Sequence, residues 1–285
     1  MVELSELFRL GGLCLRLQIV SNQTDSVQQI KKLLYPLLGF HSDDSNEEAW
    51  FLSIIESAPS LQIQDLSILP QASDLKISSL LRYVHLGINS GYKRHYFLTG
   101  NDPRILAPDR ILFSVMFIAT WWHAIHGCLC LHAAGVSRNG NGFLFLGESG
   151  AGKSTVSIMS AALGLPVLAE DRVFIMDQHD HYSLASGPHS ATEYTHYSHL
   201  RPNLRAIFTL AKDRENYIAP LSQLDAGKYL FAAFLQNSAS GFLPAEVMKL
   251  AFKAACDVAR RVPTFELHFR KNPDFWNLID KQFPD

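Results

Sequence analysis

The sequence has 285 residues, of which 47% are hydrophobic and 18% charged, so it can bury a sizeable core and does not resemble a disordered chain. A net charge of −2 at pH 7 gives no general attraction to nucleic acid or to an acidic membrane. The four cysteines include no CxxC pair, which favours unpaired thiols in a reducing compartment over a disulfide framework. We therefore expect a cytoplasmic globular protein with one large or two modest domains.

The first hundred residues predict a small α+β unit. Residues 12–20 alternate between apolar and polar as a half-buried strand does, and residues 27–38 carry apolar side chains at helical spacing. Shorter runs typical of strands follow at 61–68, 81–88 and 95–98. Turn-forming residues at 100–103 then mark a boundary. We predict an N-terminal α+β unit over residues 1–103 and a second domain over residues 104–285.

An uncharged stretch opens the second domain. Residues 111–137 contain no Asp, Glu, Lys or Arg and are long enough to span a membrane. The stretch nevertheless holds three histidines and breaks at Gly127. These features favour a buried helix over about 109–126 and then a buried strand, with no membrane span.

The remainder of the chain alternates between strand and helix patterns, which predicts an α/β domain. Predicted strands are 129–134, 143–146, 167–169 and 173–176, and a predicted helix ends before Gly164. Further regular elements are predicted over 207–210, 225–235, 244–259 and 264–269. Residues 179–199 contain five histidines in no compact zinc spacing, so we expect a polar loop there.

A complete G-x-x-x-x-G-K-[ST] phosphate loop follows the apolar run at 143–146 and precedes a helical pattern, as this motif requires. Its residues, with the Thr that follows, are Gly147, Glu148, Ser149, Gly150, Ala151, Gly152, Lys153, Ser154 and Thr155. Glycines let successive N–H groups turn inward at a helix N-terminus and bind phosphate. Lys153 is then expected to reach the terminal phosphates and Ser154 to bind Mg²⁺. Because no Asn-Lys-x-Asp guanine motif is present, ATP is the expected nucleotide.

Two adjacent acids complete the next predicted strand. Asp171 lies seventeen positions after Ser154, an interval that one helix and a short turn fill. The strand at 167–169 is therefore expected to pack near the strand of the phosphate loop and to bring Glu170 and Asp171 level with bound phosphates. A carboxylate there can accept the proton of an attacking hydroxyl, and a second acid can hold Mg²⁺.

His132 lies at the end of a predicted strand, upstream of a turn at 138–142 that returns the chain into the phosphate-loop strand. A lone histidine beside an apolar run is more often a core residue than a functional one. From the residues alone, both interpretations of His132 stay open.

Together, the segments around His132, the phosphate loop and the Glu170–Asp171 pair resemble the catalytic domain of HPr kinase/phosphorylase, and more closely the stand-alone HPr-kinase-like proteins. The resemblance covers about 105–275. It implies an α/β fold related to phosphoenolpyruvate carboxykinase, with a mixed β core. It also implies Asp171 as general base, His132 as its assistant, Lys153 on the β- and γ-phosphates, and Ser154, Glu170 and Glu193 as metal ligands.

The resemblance further implies an ATP- and Mg²⁺-dependent kinase that acts on a serine or similar hydroxyl of a peptide or protein, such as a biosynthetic precursor peptide, and that assembles as a homo-oligomer. Glu170 replaces the first Asp of the family's acid pair, and the family's HPr-binding segment is not recognisable. A small-molecule kinase and a nucleotide-sensing protein without turnover are the alternatives, because the phosphate loop serves all three.

Overall fold

The computed structural model describes residues 2–21, 50–56, 75–81, 84–89, 95–100, 108–187, 199–237, 240–243 and 245–284. Contacts between Cα atoms divide the chain into two compact units, Met1–Ala119 and Thr120–Asp285. The division falls within helix α1, Pro108–Ile125. Among the described helices, none combines the length and the apolar character needed to cross a membrane.

The N-terminal unit is built on one six-stranded sheet. Its strands are β1 Val2–Leu10, β2 Leu13–Ser21, β3 Trp50–Glu56, β4 Leu75–Leu81, β5 Val84–Asn89 and β6 His95–Gly100. Their order is β1-β2-β3-β6-β5-β4, and β3 pairs in parallel with both β2 and β6. The alternating apolar residues predicted at 12–20 are buried in β2, where Leu13, Leu15 and Leu17 are fully covered.

The other predictions for this unit have mixed outcomes. The strand expected at 95–98 is confirmed as β6. The strand expected over 81–88 is confirmed as β5, which begins later, at Val84, because Leu81 ends the antiparallel strand β4. The helix expected at 27–38 and the strand at 61–68 lie outside the described residues.

The C-terminal unit is a mixed α/β domain around a nine-stranded sheet. Its strands are β7 Leu129–His132, β8 Ala134–Arg138, β9 Asn141–Leu146, β10 Val167–Ala169, β11 Arg172–Asp177, β12 Tyr182–Ser186, β13 Asn203–Lys212, β14 Tyr217–Pro220 and β15 Thr264–Phe269. Its other helices are α2 Lys153–Ala162, α3 Gln223–Leu235, α4 Ala245–Arg261 and α5 Phe275–Gln282, with a 3₁₀ turn at Ser240–Phe242. The expected α/β class with a mixed sheet is confirmed.

The main path of the sheet is β10-β8-β9-β13-β12-β11-β7. Its two ends are connected through the chain, because β7 leads directly into β8 and β10 leads directly into β11. Strands β7 and β8 form one continuous ribbon, and β10 and β11 form a second. The two ribbons lie antiparallel, because β10 pairs with β8 and β11 pairs with β7. Both ribbons break at the same level, between His132 and Ala134 on one and between Ala169 and Arg172 on the other.

Strand β13 lies at the centre of the sheet and runs parallel to β9. Its other edge is used twice, by β12 at Asn203 and by β15 over residues 207–212. Since β15 is also parallel to β13, the carboxyl ends of β9, β13 and β15 meet at one edge of the sheet. In parallel sheets that edge is where ligand-binding loops collect.

One face of this sheet packs against α2 and α5. Phe145 of β9 and Phe208 of β13 are fully buried there with Phe275 and Trp276 of α5. Trp276 donates its indole hydrogen to the Ser160 hydroxyl of α2 at 3.0 Å, which fixes the two helices to each other. Burial of each such side chain contributes roughly 1.5–3 kcal/mol to the free energy of unfolding. The helix that follows the phosphate loop is therefore held by the core.

Most predicted elements of this unit are confirmed. The hairpin between β8 and β9 turns at Asn139 and Gly140, both with positive φ, as a two-residue type I′ turn requires. The expectation of a continuous polar loop over 179–199 is wrong in part, because buried strand β12 occupies residues 182–186. Strand β14 was also not predicted. The domain boundary between residues 103 and 104 stays a prediction.

Candidate functional site

The phosphate loop connects the end of β9 to the start of α2, and glycine is required in it for two different reasons. Gly150 and Gly152 have φ of +81° and +118°, which L side chains rarely adopt. Gly147 has little room, since a Cβ there would lie 2.6 Å from the Ala151 Cβ. Gly152 combines both constraints, because its Cβ would also lie 2.7 Å from the Phe269 ring. Gly147 and Gly152 therefore leave no room for a side chain, and Gly150 and Gly152 require a backbone conformation that only glycine adopts readily.

Lys153 begins helix α2 and folds back over the loop. Its side chain is only 6% exposed, and Nζ donates to the carbonyl oxygens of Gly147 at 2.7 Å and Glu148 at 3.2 Å. Burial lowers the pKa of Lys153, and the nearby Asp171 carboxylate opposes that shift. The ammonium is thus held inside the loop and within electrostatic reach of Asp171.

The sheet register brings His132 to the phosphate loop. Ala134 of β8 lies opposite Phe145 of β9, so continuing this antiparallel register by two residues places His132 level with Gly147. On the neighbouring ribbon, Arg172 lies opposite His132. Asp171 therefore occupies the break beside His132. The strand that delivers it, β10, pairs with β8, so β8 separates it from the phosphate-loop strand.

His132 and Asp171 form a close pair at this break. The Nδ1 atom of His132 lies 2.8 Å from Oδ1 of Asp171 and 3.2 Å from its backbone oxygen. Both partners are acceptors, so Nδ1 carries the hydrogen and Nε2 is the other ring nitrogen. Arg172 contacts the second carboxylate oxygen, Oδ2, at 2.9 Å. Each carboxylate oxygen of Asp171 therefore has its own partner, His132 for Oδ1 and Arg172 for Oδ2.

This environment sets the charge of Asp171. The hydrogen bond from His132 is the largest cause that lowers the Asp171 pKa, and Arg172, His132 and Lys153 add electrostatic attraction, while burial opposes the shift. The carboxyl group is therefore ionised throughout the neutral range. Arg172 was not singled out from the sequence, although its position directly after the acid pair was the available signal.

The three predicted metal ligands differ in how well they are defined. Ser154 is exposed in the first turn of α2, and Glu170 is half-buried in the break beside Asp171. Glu193 lies outside the described residues. Within the described part of the chain, no group of three or more His, Cys, Asp or Glu side chains could hold a metal ion. The chain can therefore offer Mg²⁺ a hydroxyl and a carboxylate, the oxygen ligands that this ion prefers alongside phosphates and water.

A cavity of about 420 Å³ lies on the opposite flank of the loop from His132 and Asp171. It is lined by loop residues 147–151 and by Thr209, Leu210, Lys212, Tyr229 and Glu266. The five residues outside the loop were not identified as site residues from the sequence. They come from β13, β15 and α3, whose meeting depends on long-range strand order.

Comparison with known proteins identifies the family. The family model described as "SynChlorMet cassette protein ScmC" matches residues 105–284, which is more than half of the chain. The chain belongs to the ScmC family. The description of ScmC names a cassette and no chemical reaction. No curated protein matches the chain.

Among solved structures, the ScmC chain is similar to the HPr(Ser) kinase/phosphatase from Coxiella burnetii. The sequence identity is 12%, and the match covers 54% of this chain and 95% of that one with a TM-score of 0.32.

Proposed function

We propose that this ScmC protein is an ATP- and Mg²⁺-dependent kinase that transfers the γ-phosphate to a serine or similar hydroxyl of a peptide or protein. The observation that carries the proposal is the ionised Asp171, held by His132 and Arg172 beside Lys153 of the phosphate loop. A phosphate loop alone supports nucleotide binding. An oriented carboxylate at the same edge of the sheet adds a group that can receive the acceptor's proton.

The residues present fit a nucleoside triphosphate. The close approach at Gly147 and the positive φ values of Gly150 and Gly152 form the concave backbone that a phosphate requires. Helix α2 adds the positive end of its dipole, and Lys153 adds a full positive charge. Mg²⁺ would be held by Ser154 and Glu170, with Glu193 as a third proposed ligand, and when bound it would neutralise phosphate charge.

The proposed reaction is a single in-line transfer. The acceptor oxygen forms a bond to the γ-phosphorus, the bond from that phosphorus to the β–γ bridging oxygen breaks, and ADP departs with those electrons. The hydroxyl proton moves to the Asp171 carboxylate. Because its lowered pKa makes Asp171 a weak base, its main contribution is to orient the hydroxyl and to take the proton late in the transfer.

His132 and Arg172 act through Asp171 in this scheme. Each engages one carboxylate oxygen, so together they restrict the rotation of the carboxyl group. Both oxygens keep further lone pairs with which to accept a hydrogen bond from a substrate. We assign His132 and Arg172 as positioning residues. The resemblance noted in the sequence supports a precursor-peptide type of acceptor and a homo-oligomer, and the unpaired cysteines support a cytoplasmic location.

The test is transfer of labelled γ-phosphate from ATP by the full chain to an array of hydroxyl-containing peptides. Asp171→Asn is expected to lower the transfer rate by about 10²–10⁴-fold while ATP still binds, because the carboxylate that orients the acceptor hydroxyl and receives its proton is removed. Lys153→Met is expected to remove both binding and transfer. The matched control is Asp180→Asn, which changes a carboxylate that is 83% exposed.

Three results would contradict the proposal. If Asp171→Asn transfers phosphate at the rate of the unmodified chain, Asp171 does not receive the proton. If the chain binds MgATP tightly but labels neither peptides nor small hydroxyl compounds, it is a nucleotide-sensing protein. Labelling of small hydroxyl compounds alone would assign it to the small-molecule kinases.

A further inference from the structure

We propose that the cavity lined by the phosphate loop, Lys212, Tyr229 and Glu266 binds the nucleoside part of the nucleotide. In this scheme Glu266, fixed by His268, is the carboxylate that recognises it. The inference rests on the proposed function and deepens it, because it assigns the half of the nucleotide that the phosphate-loop motif does not specify.

The first argument comes from the order of the strands. Strand β9, which carries the loop, lies between β8 on one side and β13 on the other. Asp171 and His132 belong to the β8 side, whereas the cavity residues Lys212 and Glu266 belong to β13 and β15 on the opposite side. If the γ-phosphate faces Asp171, the remainder of the nucleotide must extend away from it along the loop. The cavity is in that direction and is continuous with the loop.

The second argument is the size of the cavity. Small-molecule sites generally enclose about 300–1,000 Å³. The volume here is about 420 Å³, which is within that range and accommodates a sugar with an attached base. Half of the lining comes from loop residues 147–151, so a ligand in the cavity would also contact the phosphate-binding backbone.

The third argument is the chemistry of the wall. An ionised carboxylate only accepts hydrogen bonds, so Glu266 would repel a phosphate but would accept from a sugar hydroxyl or a base amino group. Tyr229, on helix α3, is 42% exposed and offers a ring on which a base can stack. The exposed Lys212 supplies a positive charge near the loop for the inner phosphates. Sugar, base and phosphate therefore each have a complementary group.

The fourth argument is that Glu266 is held in place. Its Oε2 lies 2.8 Å from Nε2 of His268, and Nδ1 of the same ring lies 3.1 Å from Oδ2 of Asp213. The rings of Tyr217 and His268 stack with their centroids 4.1 Å apart, and the Tyr217 hydroxyl donates a hydrogen bond to Asp213. The His268 ring therefore lies between the Glu266 and Asp213 carboxylates. The hydrogen bond uses only one of the two Glu266 oxygens, which leaves acceptor capacity for a ligand.

The experiment compares binding of MgATP with binding of magnesium tripolyphosphate by the full chain, using titration calorimetry. The ratio of the two affinities isolates the nucleoside from the phosphates. Glu266→Gln and Tyr229→Ala are each expected to weaken MgATP binding about tenfold and to change tripolyphosphate binding less than twofold. The matched controls Glu246→Gln and Phe252→Ala, on exposed positions of α4, should leave both affinities unchanged.

His268 is tested as a positioning residue with the same ratio. His268→Leu should lower the preference for MgATP over tripolyphosphate, whereas a role limited to stability would leave that preference intact. The inference is overturned if both cavity variants bind MgATP like the unmodified chain, or if they lose tripolyphosphate equally. In either case Lys153→Met still reports on the proposed kinase separately. If the unmodified chain binds no MgATP, the proposed function fails and the inference fails with it.

Discussion

The same substitution, glycine to alanine, is expected to have three different outcomes at three positions, two in the phosphate loop and one in helix α3. Gly152→Ala places a side chain at φ +118° and a Cβ 2.7 Å from the Phe269 ring. The backbone strain costs about 1–2 kcal/mol and the overpacking about 1–3 kcal/mol. With a total of about 3 kcal/mol, the melting temperature of the C-terminal unit should fall by roughly 6–12 °C.

Two further variants separate these contributions. Gly150→Ala has φ +81° but no atom within 4 Å of the added Cβ, so only the strain of about 1–2 kcal/mol remains. Gly227 lies inside α3 with its nearest neighbours at 3.9 Å, so Gly227→Ala should stabilise by about 0.5–1 kcal/mol through helix propensity. The expected order of melting temperatures is Gly227→Ala, unmodified chain, Gly150→Ala, Gly152→Ala.

The assay is thermal unfolding followed by circular dichroism, with MgATP binding measured in parallel. A double variant with Phe269→Leu isolates the contact with the ring. Because the smaller side chain relieves the overlap, the double variant should be less destabilised than the sum of the two single variants. Strict additivity, or a Gly152→Ala variant that melts with the unmodified chain, would refute the geometry of this loop.

Three other predictions concern titratable groups. The lowered Asp171 pKa contributes folding stability above the ordinary carboxyl pKa of about 3.9, and this contribution is lost as pH falls through the pKa of the folded state. In urea unfolding, the stability of an Asp171→Asn variant should therefore differ most from that of the unmodified chain above pH about 5. A stability difference that does not change with pH would argue against the lowered pKa. Because the Lys153 pKa is lowered, the folded state binds fewer protons than the unfolded state just below the usual lysine pKa of about 10.4, so folding stability should rise with pH there. Thermal melts at alkaline pH should show this rise in the unmodified chain and not in Lys153→Met. Burial raises the pKa of Cys130 to about 12 and also raises the pKa of Cys128. Brief iodoacetamide treatment of the native protein should therefore modify the half-buried Cys256 before either of them, as mapped by mass spectrometry. Modification of Cys130 first would be inconsistent with the fold.

The sequence was informative wherever the signal is contiguous. The loop glycines and Lys153 are specified by a short motif, and α4 and the β8–β9 hairpin follow from periodicity and turn chemistry. The His132–Asp171 contact joins residues 39 positions apart, so it depends on β7 pairing with β11, which no local pattern encodes. The motif and the resemblance indicated both residues, but not their distance or the participation of Arg172.

The elements that sequence analysis missed share a physical cause. Strands β12 and β14 have only five and four residues, too few for periodicity to stand out from neighbouring polar segments. The cavity residues outside the phosphate loop are scattered from 209 to 266, and Glu266 reaches the others because β15 joins the sheet parallel to β13. Parallel pairing of distant strands is set by packing of the whole sheet, so Glu266 and Tyr229 carry no sequence signal of a shared site.

The hydrogen bonds of Lys153 to the carbonyl oxygens of Gly147 and Glu148 affect how tightly an anion binds to the phosphate loop. The ammonium already satisfies part of its hydrogen-bonding capacity with the loop that it serves. An incoming phosphate must therefore compete with two peptide oxygens, and the measured affinity is the difference between the new contacts and those exchanged. In return, the internal bonds limit the rotamers of a long side chain, so less entropy is lost when the exchange occurs. The loop thus combines a modest enthalpic gain with a low ordering cost, which suits a site that must also release its product.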